Sequence, residues 1–211
     1  MKIAVLGTGE VGRALAGGYA GHGHEVVVGT RDPDRQDLQD FAAAAGVSLA
    51  SSADAVQDAV LVVLAWLGSA TVTALTEVGA ERFDGKIVVD ATNPLEFVDG
   101  EPRLFVSGDD SLGERVQRTI AAARVVKAYN SVGNGLMVDP RLPGGPPTMF
   151  IAGDHSEAKA VVTALLAETG WDSEDLGGIE ASRLLESLCV TWVAIGRRTG
   201  SWGHAFKLLR L

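Results

Sequence analysis

The chain has 211 residues, of which 46% are hydrophobic and 21% are charged, and its formal net charge is −9. This length and composition predict one folded domain, or one domain and a small appendage, with a substantial core. The negative charge argues against nucleic-acid binding, which depends on clustered Lys and Arg, and no apolar run approaches the roughly 20 residues that a membrane span needs.

Cysteine content and the start of the chain indicate the cellular setting. The single cysteine, Cys189, allows no internal disulfide and no multi-cysteine metal site. A strand pattern, MKIAVL, begins at the first residue, so we expect no cleavable leader. We therefore expect a cytoplasmic protein in a reducing compartment, with no metal site and no membrane partner.

Strand and helix patterns alternate from the first residue. The strand patterns are KIAVL, EVVVG, VSLA, VLVVLAW, KIVVD and RVVKAY, and helical patterns lie between them at residues 11–20, 37–45, 70–80 and 112–122. Valine-rich strands without alternating polar residues are typical of a parallel sheet that helices cover on both faces. The sequence therefore predicts an α/β fold, a Rossmann-type doubly wound parallel sheet.

The character of the chain changes after residue 130. A Gly/Pro-rich loop at 140–147 precedes the strand TMFIAG, a helix at 156–168 and a final helix from Ile179. We expect residues 1–130 to form the dinucleotide-binding domain and residues 131–211 a small α/β extension that packs on it and completes its pocket. The final helix carries an apolar stripe formed by Leu184, Leu188, Trp192 and Ile195 and widened by Leu185, Cys189 and Val193. This stripe predicts that the helix packs on the sheet or on a second copy of the chain in a homodimer.

A glycine-rich loop follows the first strand. GTGEVG has the G-x-G-x-x-G pattern, and a helix and a second strand come after it, which is the context that makes the pattern meaningful. The first glycine permits a tight turn, the second a close approach to pyrophosphate, and the third close packing of helix and strand. The predicted pyrophosphate site consists of Gly7, Thr8, Gly9, Glu10, Val11 and Gly12.

The end of the second strand indicates which dinucleotide binds. An NAD site carries an acidic residue about 20 positions beyond the glycines, but here that place holds Thr30 followed by Arg31. A guanidinium grips phosphate bidentately, so we predict NADP(H), with Arg35 as a second cation. Asp32 and Asp34 leave two alternatives open, since they could cap the next helix or, turned inward, favour NAD.

Three further segments, residues 66–69, 91–95 and 127–134, leave the carboxyl ends of predicted strands and could line one pocket. On the cofactor side we expect Ala65, Trp66, Asn93 and Pro94, and around the substrate we expect Trp66, Asn93, Leu95, Tyr129, Asn130 and Val132. The asparagines offer amides to a carboxamide, and the aromatic side chains offer flat apolar surface.

No conventional catalytic residue is evident. Reduction of a ketone needs a proton donor, whereas hydride transfer between two ring cofactors can proceed by positioning. A carbonyl, imine or quinone reductase is an alternative, with Lys127 or Tyr129 as donor. A non-catalytic NADP(H) sensor or interaction protein is another.

Taken together, these segments resemble the NADPH-dependent deazaflavin reductases, which pass hydride between NADP(H) and the 8-hydroxy-5-deazaflavin coenzyme F420. The resemblance spans essentially the whole chain and rests on KIAVLGTGEVG, GHEVVVGTR, NPL, KAYNSVG, SRLLESL and GHAFKLL. It implies direct ring-to-ring hydride transfer without a protein nucleophile, pyrophosphate binding by residues 8–11 and 2′-phosphate binding by Thr30, Arg31 and Arg35. We expect the partner of NADPH to be a deazaflavin or flavin-like coenzyme. The chain is also similar to the NADPH-binding domain of membrane metalloreductases, which carry a Lys-x-aromatic-Asn stretch.

Overall fold

The structure, a computed structural model, describes all 211 residues of the chain. Its helices and strands alternate along most of the sequence. In chain order they are β1 (Lys2–Leu6), α1 (Glu10–Gly21), β2 (Glu25–Thr30), α2 (Gln36–Ala45), β3 (Ser48–Ser51), α3 (Ser52–Gln57), β4 (Leu61–Leu64), α4 (Gly68–Val78), β5 (Ile87–Asp90), β6 (Leu95–Val98), β7 (Glu101–Leu104), α5 (Leu112–Thr119), β8 (Arg124–Lys127), β9 (Thr148–Ile151), α6 (Ser156–Glu168), β10 (Asp172–Asp175) and α7 (Ser182–Thr199).

Six strands form one sheet in the order β3-β2-β1-β4-β5-β8, and every neighbouring pair is parallel. The chain enters at β1 in the middle, runs to one edge through β2 and β3, and returns to β4 on the other side of β1. The predicted Rossmann-type doubly wound sheet is confirmed. The strand order reverses between β1 and β4, and the ligand crevice of such sheets is expected beyond the carboxyl ends of these strands.

Helices cover both faces of the sheet, which explains the uniformly apolar strands. In β1, Ile3 and Val5 belong to one core cluster with residues of α1 and α6, while Ala4 and Leu6 belong to a second with residues of α3, α4 and α5. All four are at most 1% exposed. Alternate side chains point to opposite faces, so both faces of β1 are buried.

The segment after residue 130 packs on the same core. Strands β9 and β10 pair in parallel on either side of α6, and Lys127 and Ala152 exchange backbone hydrogen bonds of 2.8 and 3.2 Å that join the end of β8 to the end of β9. The core cluster around Ile3 also contains Val162 of α6 and Trp171.

The hairpin of β6 and β7 was not predicted, although the sequence carried a signal for it. Asp99 and Gly100 occupy its turn with φ of 51° and 80°, and Asp-Gly is a strong hairpin turn when both central residues adopt positive φ. The hairpin places Leu95 in β6 rather than in a loop. Two further elements were missed because they lack an apolar pattern, namely the short α3, capped by Ser51, and the polar β10.

The final helix is present and amphipathic rather than uniformly apolar, and only part of the predicted apolar stripe is buried. Its buried apolar face consists of Leu185, Cys189, Trp192 and Val193, whereas Leu184 is 64% exposed. Leu188 and Ile195, the other residues of the predicted stripe, are only partly buried. No helix in the structure is both long enough and apolar enough to cross a bilayer.

Candidate functional site

The glycine-rich loop makes a tight turn between β1 and α1. Gly7 has φ of 135°, a conformation that side-chain-bearing residues rarely adopt, and a Cβ there would clash with the carbonyl oxygen of Ala65. A Cβ on Gly12 would clash with the carbonyl oxygen of Gly7. The loop, the start of α1 and the segment after β4 therefore pack backbone to backbone, which requires glycine at both positions.

The N-terminus of α1 is open. Its N-cap residue, Gly9, offers no side chain, and the first helical hydrogen bond runs from the Arg13 amide to the Gly9 carbonyl. The amides of Glu10, Val11 and Gly12 therefore have no partner within the helix. A Cβ on Gly9 would meet no protein atom within 4 Å, so packing does not require glycine there. Free amides at a helix N-terminus beside a bare glycine fit a pyrophosphate.

The end of β2 carries the residues predicted for the 2′-phosphate. Thr30 is 8% exposed, and its hydroxyl accepts a hydrogen bond of 3.3 Å from the Asp32 amide. Arg31 is exposed. Since β1 and β2 are adjacent and parallel, Thr30 and Arg31 follow at the same edge of the sheet as the glycine loop.

Arg35 is the N-cap residue of α2, and its guanidinium donates to the Asp37 carboxylate at 2.5 and 3.1 Å. No side chain caps α2. The alternative in which Asp32 or Asp34 caps this helix is therefore wrong, and both carboxylates are exposed.

Two asparagines join the segments that follow β5 and β8. The side-chain amide of Asn93 donates to the Asn130 carbonyl at 2.7 Å, and that of Asn130 donates to the side-chain oxygen of Asn93 at 3.0 Å. Asn130 also donates to the Leu185 carbonyl of α7 at 2.8 Å. Pro94 is buried, and Leu95 packs partly buried against the apolar face of α7. The pair thus fixes both strand-end segments and one helix.

After β4, Ala65 continues the sheet, its amide donating to the Leu6 carbonyl at 2.9 Å. Trp66 is half-buried against the core cluster that contains Leu6. Both lie at the crevice edge of the sheet, beside the glycine loop.

Two predicted pocket residues belong to the core instead. Tyr129 is fully buried, its ring packs edge-on against Tyr19 at 6.5 Å, and its hydroxyl lies 3.3 Å from the Thr169 hydroxyl. Val132 is 7% exposed and belongs to the same core cluster. A backbone φ of 62° at Tyr129 departs from the extended path of β8, and the ring lies in the core. Tyr129 and Val132 thus pack in the core of this structure, which does not support their predicted place in the substrate pocket.

A buried ionic cluster lies behind the asparagine pair. The ammonium of Lys127 is 2.9 Å from Asp90 and 2.9 Å from Glu186, and the three side chains are at most 1% exposed. Glu186 also accepts hydrogen bonds from the amides of Leu112 and Gly113 at the start of α5. Burial lowers the pKa of Lys127, but the two carboxylates outweigh it and raise the pKa, so the lysine stays charged.

Neither of the two side chains considered as proton donors, Lys127 and Tyr129, is placed to give a proton to a substrate in the crevice. Lys127 is enclosed by its carboxylates, and burial raises the pKa of Tyr129. His204 stacks on Trp192 with ring centroids 4.9 Å apart, in a packing role. Burial also raises the pKa of Cys189 to about 12, so its thiol stays protonated. The alternative reductase with Lys127 or Tyr129 as donor therefore has no support from the geometry.

A cavity of about 430 Å³ lies between α4 and α5. Its eight lining residues include Val72, Phe105 and Arg115. Two of its lining residues, Gly68 and Ser69, belong to the segment after β4 that the sequence predicted at the pocket, and a Cβ on Gly68 would clash with the carbonyl oxygen of Asn93, so the cavity adjoins the predicted pocket residues.

Sequence reasoning missed Arg13, Asp37, Asp90 and Glu186. One signal was available for Asp90, because a charged residue ends the otherwise apolar strand pattern KIVVD just as Lys127 interrupts RVVKAY. The two residues are register partners in β5 and β8. No local pattern pointed to Asp37 or Glu186, since carboxylates on helices are common and most of them face solvent, whereas Glu186 is buried.

Comparisons with known proteins identify the family of the chain. Residues 2–94 match the family described as NADP oxidoreductase coenzyme F420-dependent. The chain is 30% identical over 188 residues to the metalloreductase STEAP3 of Rattus norvegicus, and this match covers 89% of the chain but only 36% of that longer protein.

Two other relatives match over most of their length. The F420-dependent NADP reductase of Methanothermobacter marburgensis is 31% identical over 201 residues, which cover 89% of each chain. A solved structure from Arthrobacter sp. FB24, provisionally assigned as an F420-dependent NADP reductase, is 44% identical and superimposes over 100% of both chains with a TM-score of 0.93. The chain therefore belongs to the family of F420-dependent NADP reductases.

Proposed function

We propose that this NADP-dependent oxidoreductase transfers hydride directly between NADPH and coenzyme F420, without a protein nucleophile. Enzymes of the family use NADP(H) and F420. The observation that carries the proposal is the open N-terminus of α1, framed by Gly7, Gly9 and Gly12, beside an exposed Arg31 at the end of the adjacent strand.

The amides of residues 10–12 hold the pyrophosphate, because they are free donors at the positive end of the α1 dipole. Thr30, Arg31 and Arg35 hold the 2′-phosphate. Glycine at position 9 leaves the space beside these amides open, so the backbone can be approached closely.

The strand-end segments hold the reacting rings. NADPH supplies the hydride when bound, and F420 accepts it. The pair of Asn93 and Asn130 fixes the two segments on either side, and Trp66, which is partly exposed, follows β4 at the same edge of the sheet. The protein contributes alignment and exclusion of water, which is consistent with the burial of Lys127 and Tyr129.

Isotope transfer tests the direct step. NADPH carrying deuterium at C4 of the nicotinamide, in either stereochemical position, is oxidised anaerobically with F420, and the reduced deazaflavin is analysed by mass spectrometry. We expect deuterium in the product from one of the two labelled forms and little turnover with NADH. Product without deuterium from either form would rule out direct transfer. FMN, FAD and a quinone, offered separately, test the acceptor.

A pair of glycine substitutions tests the pyrophosphate site. In both Gly9→Ala and Gly21→Ala the new Cβ meets no protein atom within 4 Å, and neither glycine has positive φ. Gly9→Ala should preserve the melting temperature but weaken NADPH and NADH binding by at least about tenfold, because a methyl group there intrudes on the pyrophosphate. Gly21→Ala, at the other end of α1, should bind normally. Equal affinities in the two variants would place the dinucleotide elsewhere.

The assembly and the cellular setting stay predictions. A homodimer through the exposed side of α7, where Leu184 is 64% exposed, is supported by that apolar surface alone. Sedimentation of wild type and Leu184→Glu would test it, with a monomeric variant and a dimeric wild type expected. The single buried cysteine is consistent with a reducing, cytoplasmic setting.

A further inference from the structure

An arginine that the proposed site does not yet include lies beside the glycine loop. Arg13 donates from Nε to the Thr8 carbonyl at 3.0 Å and from NH2 to the Asp37 carboxylate at 2.5 Å. Its guanidinium lies 5.2 Å from the centre of the Phe41 ring. Arg13 therefore connects the loop after β1 to the start of α2, the two segments between which the adenosine end of the dinucleotide must lie.

Fold stability does not explain this arrangement. Arg13 is the fourth residue of α1, where a cation is disfavoured by the positive end of the helix dipole. The side chains of Arg13 and Asp37 are 31% and 54% exposed, and exposed ion pairs contribute little to stability. A cation held at an anion-binding helix end is better explained by a ligand with additional negative charge.

Asp37 holds two arginines at once. Its Oδ2 accepts from both Arg13 and Arg35, and its Oδ1 accepts from Arg35 alone. A guanidinium has five N–H donors, so both arginines keep free donors after these bonds are made. Hydrogen bonds from Arg35 first, and then from Arg13, lower the pKa of Asp37 to about 2, so the carboxylate remains ionised at neutral pH.

We propose that Arg13 is a third arginine of the 2′-phosphate site and that Asp37 is a positioning residue that orients Arg13 and Arg35. The inference rests on the proposed assignment of Thr30, Arg31 and Arg35 to that phosphate. Three guanidinium groups outnumber the two carboxylates that act on Arg35, those of Asp37 and Asp32, and so leave an excess of positive charge for a phosphate dianion. By itself the Asp37 carboxylate would repel the phosphate. We therefore assign it the role of holding the guanidinium groups of Arg13 and Arg35 in fixed orientations.

Dissociation constants for NADPH, NADH, adenosine 2′,5′-bisphosphate and ADP test the proposal in wild type, Arg13→Gln and Asp37→Asn. Matched controls are Arg82→Gln, in an exposed turn before β5 at the opposite edge of the sheet, and Asp40→Asn, on α2 next to Gln36. We expect Arg13→Gln to weaken the binding of NADPH and of the bisphosphate by about tenfold or more, and Asp37→Asn to weaken it several-fold. The dissociation constants for NADH and ADP, and all those of the control variants, should change less than twofold.

The direction in which NADPH affinity changes in Asp37→Asn, together with the melting temperature, distinguishes the possible roles of Asp37. If Asp37 only competes with the phosphate, Asp37→Asn will bind NADPH more tightly, and if it only stabilises the start of α2, the melting temperature will fall with an unchanged NADPH to NADH ratio. Either result overturns the positioning role. Equal weakening of NADPH and NADH by Arg13→Gln would mean that Arg13 acts through the Thr8 carbonyl.

Arg31→Ala separates this inference from the proposed function on which it rests. If Arg31→Ala loses NADPH selectivity while Arg13→Gln keeps it, only the role of Arg13 fails. If Arg31→Ala leaves the selectivity unchanged, the 2′-phosphate site itself has been assigned wrongly.

Discussion

Replacing Lys127 with methionine should be among the most destabilising single changes in this chain. Methionine fills a similar volume but leaves the carboxylates of Asp90 and Glu186 buried without their shared cation, and both are at most 1% exposed. Removing one partner of a buried ion pair costs about 3–5 kcal/mol. For a chain of this size each kcal/mol shifts the melting temperature by about 2–4 °C, so we expect a fall of roughly 6–20 °C.

Lys159→Met is the matched control for this measurement. Lys159 forms an ion pair of 2.8 Å with Asp175, whose side chain is 48% exposed, so the carboxylate remains hydrated when the cation is lost. Its cost should be at most about 1 kcal/mol. Urea denaturation of the apo proteins gives both free energies of unfolding. If Lys127→Met lowers the free energy of unfolding by no more than Lys159→Met does, the argument that burial makes the Lys127 cluster important is refuted.

Three other predictions concern packing, acid stability and thiol reactivity. Gly12→Ala should lower both the melting temperature and NADPH affinity, because its Cβ would clash with the Gly7 carbonyl; normal binding in titrations would contradict the packing role. Burial raises the pKa of Asp110, but hydrogen bonds from Arg118 and Arg115 outweigh it and lower the pKa to about 2, from 3.8. The stability that Asp110 adds is therefore present above about pH 4 and lost as the pH falls through about 2, so melting curves of wild type and Asp110→Asn should differ above pH 4 and converge near 2. Cys189, with its pKa raised by burial to about 12, should react with iodoacetamide at least about a hundredfold more slowly in the native than in the denatured protein, and equal rates would show that the thiol is accessible.

The sequence by itself determined the sheet and the cofactor-binding loop. Strands such as KIAVL and KIVVD are buried on both faces and therefore carry an unbroken apolar pattern, and the turn at Gly7 needs a conformation that glycine adopts most readily. Thr30 and Arg31 follow β2 by chain connectivity alone. Features of this kind depend on residues that are close together in the chain, so they can be recognised in a single sequence.

Only the tertiary structure decided which polar groups meet. Glu186 reaches Lys127 from 59 positions along the chain, and Asp37 reaches Arg13 from 24. These contacts depend on how α7 and α2 dock against the sheet, which an amphipathic pattern does not specify. Tyr129 shows the same limit. Its position after a strand predicted that its side chain faces the crevice, whereas in the structure its backbone φ is positive and its ring packs beside Tyr19 in the core.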